Sequence, residues 1–300
     1  MRLLAPFLLI LLSSCVIGQN KHPRPRDLSP GWLVDRPRVL AIQAEPPEVQ
    51  PGEQAAFHAL VAGALEDQTS TIIWLACPPT TAGGIGFGCD LDLADVDLET
   101  ATIEELLELG FIGFEPYLMP YYTPNQDLLD GLEEGREKNE GLHVLIQVSV
   151  LPEDMEASAE LDFNEVEVAY KRLVVSESTT PNENPGIATF TVDGVPIPEG
   201  AVVEVDTFQN YELSLILRDD AAPEYEYIDH EGNVEIRQEE PYISWFSTGG
   251  TVNEEYTLIP HFGSTWESPG DAGESGTWWA VLRDRRGGMS WASRDWRVRD

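Results

Sequence analysis

Apolar residues recur at every second position in run after run of this chain, the period of a strand with one face buried and one in water. Leu142, Val144, Ile146, Val148 and Val150 form one such face, with His143, Gln147 and Ser149 on the other. The alternation returns at Val166, Val168 and Tyr170, at Ala201, Val203 and Val205, and at Tyr211, Leu213, Leu215 and Leu217. Clusters of Pro, Gly, Asn and Asp separate the runs, which is the spacing of β-sandwiches. The fold class read from this pattern is mainly β, with two sandwiches. The stretch around Ser178, Pro181, Asn184 and Gly186 has no alternation, so residues 178–186 are read as a linker between domains at 33–177 and 187–300. Near the end, Trp278, Ala280 and Leu282 share a face, 283–288 turns, and Met289 and Trp291 begin a return strand. Trp296 and Val298 have the opposite parity, which predicts a β-bulge near 293–295.

Residues 78–141 break the pattern and read as a partly helical insertion, too long for an ordinary loop. Thr102-Ile103-Glu104-Glu105 has the form of a capping box, and Gly110 can end the helix it starts. Asn125 is expected to cap a second helix carrying Leu128, Leu129 and Leu132, with Glu134 and Lys138 paired four residues apart.

The N-terminus is Met1-Arg2 followed by an apolar run from Leu3 to Leu12. That run suits a secretory signal and is too short to span a bilayer. Leu12-Ser13-Ser14-Cys15 resembles the lipobox of bacterial lipoproteins. The resemblance implies a signal peptide at 1–14, cleavage between Ser14 and Cys15, and a diacylglycerol on the Cys15 thiol. It also implies a membrane partner through that lipid and a place in the cell envelope. Position 16 is Val, not the Asp that retains some lipoproteins at the inner membrane, so the expected site is the outer membrane. Residues 15–32, with Pro23, Pro25 and Pro30 among Lys21, Arg24 and Arg26, read as an extended tether.

Further on, Pro37-Arg38-Val39-Leu40-Ala41-Ile42 precedes Pro46-Pro47-Glu48-Val49-Gln50-Pro51-Gly52-Glu53, and Ala55 to Val61 alternates again. Pro51 presets φ and Gly52 can take the positive φ of a type II turn. This order resembles the first two strands of bacterial immunoglobulin-like domains, and Ile72-Ile73-Trp74-Leu75 resembles their third strand with its core Trp. Taken whole, the chain resembles surface lipoproteins with two immunoglobulin-like modules, a type frequent in myxobacteria and their relatives.

Charge narrows the partners. With 18 Lys and Arg against 53 Asp and Glu, the formal net charge is −35, so a phosphate backbone would be repelled and nucleic acid is excluded as a partner. Positions 39–282 hold 6 basic residues and 48 acids. Three Cys become a pair once Cys15 is set aside, and Cys77 and Cys89 in an exported compartment are expected to form a disulfide. Zinc is the alternative, but neither Cys has a Cys or His two to four residues away.

Candidate chemistry is sparse. His22, His58, His143, His230 and His261 form no His-Glu-x-x-His motif, and there is no Gly-x-Ser-x-Gly elbow. Gly83-Gly84-Ile85-Gly86-Phe87-Gly88 lacks the Lys-Ser/Thr of a phosphate loop. No cofactor is expected. Asp90, Asp92, Asp95 and Asp97 could gather calcium, although alternation with Leu91 and Leu93 equally describes a solvated strand face. Phe111, Phe114, Tyr117, Tyr121 and Tyr122 are either an exposed recognition patch or rings packing the insertion onto its sandwich. Trp245, Trp266, Trp278, Trp279, Trp291 and Trp296 could stack on sugars or fill a core. The function expected is a non-enzymatic, lipid-anchored envelope protein for adhesion or scaffolding that binds another envelope protein, with a carbohydrate-binding sandwich as the alternative.

Overall fold

A computed structural model describes residues 29–63, 71–77, 102–151, 166–258 and 260–300. Gly31–Asp300 form one unit, and its strands fall into two β-sandwiches. Cys15, Ser14, Cys89, Asp90, Asp92, Asp95 and Asp97 lie outside the described residues, as do the signal, most of the tether and the Gly83–Gly88 loop. No helix among the described residues is long and apolar enough to cross a membrane.

The first sandwich contains β1 (Arg38–Glu45), β2 (Glu48–Val49), β3 (Ala55–Ala62), β4 (Thr71–Cys77), α1 (Ile103–Glu108), β5 (Phe111–Glu115), β6 (Tyr121–Tyr122), α2 (Arg136–Glu140), β7 (Leu142–Leu151) and β8 (Glu167–Val175). One sheet has the order β1-β3-β6 and the other β2-β8-β7-β4-β5. The second sandwich contains β9 (Ile187–Val192), β10 (Val195–Ile197), β11 (Val202–Val205), β12 (Asn210–Leu217), β13 (Glu224–Ile228), β14 (Val234–Gln238), β15 (Tyr242–Ser247), β16 (Thr251–Val252), β17 (Tyr256–Leu258), β18 (Ser264–Glu267), β19 (Ser275–Arg283) and β20 (Met289–Val298). Its sheets are β10-β9-β12-β18-β16 and β11-β20-β19-β15-β17, with β13-β14 a separate hairpin.

The same plan appears twice. In each domain a short early strand pairs in parallel with the last strand, β2 with β8 and β11 with β20. The last strand then pairs with the one before it, and that one with a strand carrying a buried Trp, Trp74 on β4 and Trp245 on β15. A short edge strand completes each sheet. A strand with a buried Trp beside the final two, facing a second antiparallel sheet, is the immunoglobulin-like arrangement.

The turn before β3 forms as its residues dictate: Gly52 has φ +86° and the Glu53 amide donates to the Gln50 carbonyl at 3.0 Å. Along β7, Val144, Ile146, Val148 and Val150 are buried against Phe57, Trp74 and Leu173. Register decides the face of β8, because Val148 stands opposite Ala169 and Gln147 opposite Tyr170. Ala169, Leu173 and Val175 therefore face inward, and the Val168 and Tyr170 face lies on the outer side, half exposed.

The second core is built on Trp245, Trp266, Trp278 and Trp296 around Phe190. The Trp266 and Trp278 rings meet edge to face at 4.8 Å, a favourable aromatic geometry. Trp296 stands opposite Gly276 in the β19–β20 ladder, where a Cβ would lie 2.6 Å from the indole. Glycine there makes room for the ring.

Four expectations need correcting. The β19–β20 ladder runs from Ser275↔Arg297 to Arg283↔Met289 without a shift, so there is no bulge. Parity changes because both faces of this sheet are covered: Ala292, Trp296 and Val298 belong to the second core, while Met289 and Trp291 join Trp279 and Val281 against Leu40, Ala41 and Leu60 of the first sandwich. The helix expected at Asn125 is a series of turns, with Leu128 bonded back to Asn125 and Leu132 to Leu129, and α2 begins only at Arg136. The capping box of α1 and the Glu134–Lys138 pair, at 2.7 Å, do form. Trp32, placed in the tether by composition, sits in the core of the second sandwich, and residues 32–34 hydrogen-bond along Ser247. Finally, residues 176–186 form no strand, yet Ser176, Ser178 and Asn182 are buried. The linker is wedged between the domains.

Candidate functional site

Two places concentrate exposed or polar chemistry. The first is the loop joining β5 to β6. Backbone bonds between Phe114 and Leu118, at 2.7 and 2.8 Å, close it into a tight hairpin, and Phe57 N–H donates to the Pro120 carbonyl at 3.1 Å. Gly113 lets the return chain pass, since a Cβ there would lie 2.6 Å from Pro120 Cβ. Trp74 Nε1 donates to the Glu115 carboxylate at 2.8 Å, tying the edge strand to the core. On this frame Phe114 and Tyr117 stack at 6.0 Å. Tyr117 is 83% exposed, and Leu118, Met119 and Tyr121 are each at least 40% exposed. The aromatic stretch divides accordingly: Tyr122 packs against the first core while Phe114, Tyr117 and Tyr121 face out. Residues 102–140 hold ten acids and two bases, so the apolar tip rises from a negatively charged region.

The second place is the junction of the two sandwiches. Arg286, in the β19–β20 turn, donates to Glu48 at 3.2 Å, to Glu239 at 3.0 Å and to the Thr180 carbonyl at 3.1 Å, with its guanidinium 4.3 Å above the Tyr225 ring. Asp284 accepts the amides of Arg286, Gly287 and Gly288 at 2.8 to 2.9 Å on one oxygen and Asn182 Nδ2 at 2.8 Å on the other. Glu48 accepts the Asn182 amide at 2.7 Å and the Ser176 hydroxyl. Lys171 reaches across to the Gly287 carbonyl. Three buried acids thus face two bases. Burial, with Asp284 and Glu48 adding to it and Arg286 opposing, pushes the Glu239 carboxyl up to about 7. Burial also raises Asp284, against the pull of its Asn182 and backbone donors, and lowers Lys171 to about 8. Glu239 Oε2 and Asn182 Oδ1 are buried without a hydrogen-bond partner. A cleft of about 750 Å³ opens beside Glu239, Asp284, Arg286 and Tyr225.

Nothing in the sequence pattern marks this junction, because no spacing relates Glu48, Asn182, Glu239 and Arg286. The one available signal was a basic turn in a chain otherwise nearly devoid of bases.

The remaining candidates are scattered. His58, His143, His230 and His261 sit on β3, on β7, in the β13–β14 turn and after β17. No group of three His, Cys, Asp or Glu able to hold a metal occurs among the described residues. Cys77 is the last residue of β4. Trp245, Trp266, Trp278, Trp279 and Trp296 are at most 9% exposed, so core filling accounts for them.

No family model matches the chain, and no curated protein matches it. Among solved structures it is similar to murine CEACAM1b, at 12% identity over 86% of this chain and 98% of that one, with a TM-score of 0.24. It is also similar to the two tandem V-type regions of VCBP3, a v-region-containing chitin binding protein, at 13% identity over 87% and 100% with a TM-score of 0.29. Fibronectin(III)-like modules of Clostridium thermocellum CbhA align at 8% identity over 86% and 94% with a TM-score of 0.22. The assignment of both domains as immunoglobulin-like β-sandwiches rests on strand order and on the buried Trp74 and Trp245 beside the final two strands.

Proposed function

We propose that this is a non-enzymatic, lipid-anchored protein of the cell envelope, in which two joined sandwiches present an adhesive or scaffolding surface. The observation that carries the reading is the exposed tip of Phe114, Tyr117, Leu118, Met119 and Tyr121, in a molecule whose Trp side chains lie mostly inside. Rings and aliphatic chains of that size are left in water where a partner will cover them. Because the surrounding insertion is strongly acidic, the fitting partner is an envelope protein with an apolar centre ringed by Lys and Arg. The apolar junction and the Arg286 network support a joined pair of domains that carries the tip on one folded unit. The anchor itself is supported by Leu12-Ser13-Ser14-Cys15, and outer-membrane placement by Val16.

The test uses full-length protein and intact cells of the producing strain. Tyr117→Ala and Leu118→Asp, both at exposed positions, should preserve folding and lower cell binding about tenfold, the loss of one hot-spot side chain. Unchanged binding removes the tip from the function, and inhibition by free glycan but not by salt favours the carbohydrate reading. Cys15→Ala should move the chain from the detergent phase to the aqueous phase; unchanged partitioning refutes the anchor.

A further inference from the structure

The hairpin β13–β14 belongs to neither sheet of the second sandwich, and its two edges differ. The Asp229 and Asn233 backbones are bonded at the turn, as are Glu239 and Pro223 at the base. Antiparallel pairs alternate between bonded and non-bonded. Tyr227↔Glu235 and Tyr225↔Arg237 are therefore bonded pairs, whereas Glu226↔Ile236 and Ile228↔Val234 are not. Backbone groups of the latter pairs point outward. On β13 that edge is covered by the linker: the Glu226 amide donates to Thr180 Oγ1 at 3.2 Å and its carboxylate accepts from Thr179 at 2.9 Å. On β14 the outward groups belong to Val234, Ile236 and Gln238, and all five residues of the strand are exposed, Val234 at 60% and Ile236 at 61%.

Such an edge is a template for another strand. Proteins block it with Pro, a bulge or charged side chains; β14 has no Pro and no bulge, and its two charges, Glu235 and Arg237, neutralise each other along the strand at 2.8 Å. Its charges alternate in sign, Glu235 and Arg237 flanking Ile236. We infer that β14 is a self-association edge, which pairs antiparallel with β14 of a second copy about a two-fold axis at Ile236. Ile236 then faces Ile236 of the partner subunit in a bonded pair, and Val234 stands opposite Gln238 of the partner subunit in another. Both use the outward-pointing backbone groups. Glu235 falls opposite Arg237 of the partner subunit, and Arg237 opposite Glu235 of the partner subunit, in close non-bonded pairs. Backbone pattern, the Ile236 pair and the charge match converge on one register. The product is a four-stranded sheet with an isologous interface. A register slipped by one residue would put unlike faces together and lose the charge pairing.

The test is a charge swap on full-length chains bearing two different tags, co-expressed and purified in mild detergent. Wild-type copies should co-purify. Arg237→Glu sets Glu against Glu across the axis, and Glu235→Arg sets Arg against Arg, so either variant alone should self-associate about tenfold less or weaker still. Mixed with each other, the two variants place every Glu opposite an Arg and should associate again. Damage inside a hairpin would not be repaired by mixing. Wild-type copies that fail to associate, single variants that associate as well as wild type, or a mixture that does not recover would each overturn the proposal. Tyr117→Ala should leave all arms unchanged, which separates this edge from the tip on the first sandwich.

Discussion

Glu239→Gln tests the junction most directly. The Glu239 side chain is 1% exposed and receives one Arg286 bond, while Oε2 has no partner. Its pKa rises from an ordinary 4.5 to about 7 on folding. Between those values the folded state holds a proton that the unfolded chain has lost, so stability falls as pH rises. The contribution is fully present below pH 4.5 and gone by about pH 7 to 8. At about 1.4 kcal/mol per unit, the rise corresponds to a loss on the order of 3 kcal/mol. Glutamine keeps a carbonyl for Arg286 and cannot ionise. Wild type and variant should therefore be similar in urea titrations near pH 4.5, and the variant should be more stable at pH 8, by up to that amount. Trp279 and Trp291 lie at the junction and give the fluorescence readout. Because the chain carries 53 acids, the wild-type curve alone is uninformative and the difference between the two curves is the measurement. Parallel curves from pH 4.5 to 8 would show that Glu239 does not carry a buried charge, and the reasoning would fail.

Arg286, Trp32 and the Cys77–Cys89 pair expected from the sequence each give a further outcome to measure. Arg286→Met removes the cation bonded to Glu48 and Glu239; it should cost about 3 to 5 kcal/mol at pH 8 in urea titrations and less at pH 5, where Glu239 is protonated. Trp32→Ala removes a buried ring from the second core, not from a tether, and should cost about 3 to 5 kcal/mol with faster hydrogen exchange at the Ser247 amide; an exchange rate equal to wild type would contradict that placement. Alkylation of Cys77 and Cys89 in native protein should require prior reduction, and labelling of unreduced protein would refute their pairing.

Local features were legible in the sequence wherever neighbours along the chain decide them. The Gly52 turn, the capping box at Thr102 and the inward face of Val144, Ile146 and Val148 depend on φ preferences, a four-residue hydrogen-bond reach and period-two burial. Two sandwiches were legible from the runs of alternation, and Trp74 as a core ring from the resemblance of its strand to that of immunoglobulin-like domains; which Trp fills the second core was not. Turns at Asn125 that fail to become a helix mark the limit of capping signals.

What the sequence by itself determined was strand periodicity, turn chemistry, the acidic balance and the lipobox-like Leu12-Ser13-Ser14-Cys15. Tertiary structure alone decided which rings are covered, because a period of two says that one face differs from the other but not what lies against it. That is why Val168 and Tyr170 face outward, why Trp291 and Trp296 are both protected with opposite parity, and why Trp32 belongs to a domain that begins some 150 residues later. It alone brought Glu48, Asn182, Glu239 and Arg286 within bonding distance. Charge is the clearest case: the sequence shows a scarcity of bases, and the fold spends one of the few, Arg286, on acids from two domains, since a buried carboxylate without a cation is too costly to keep.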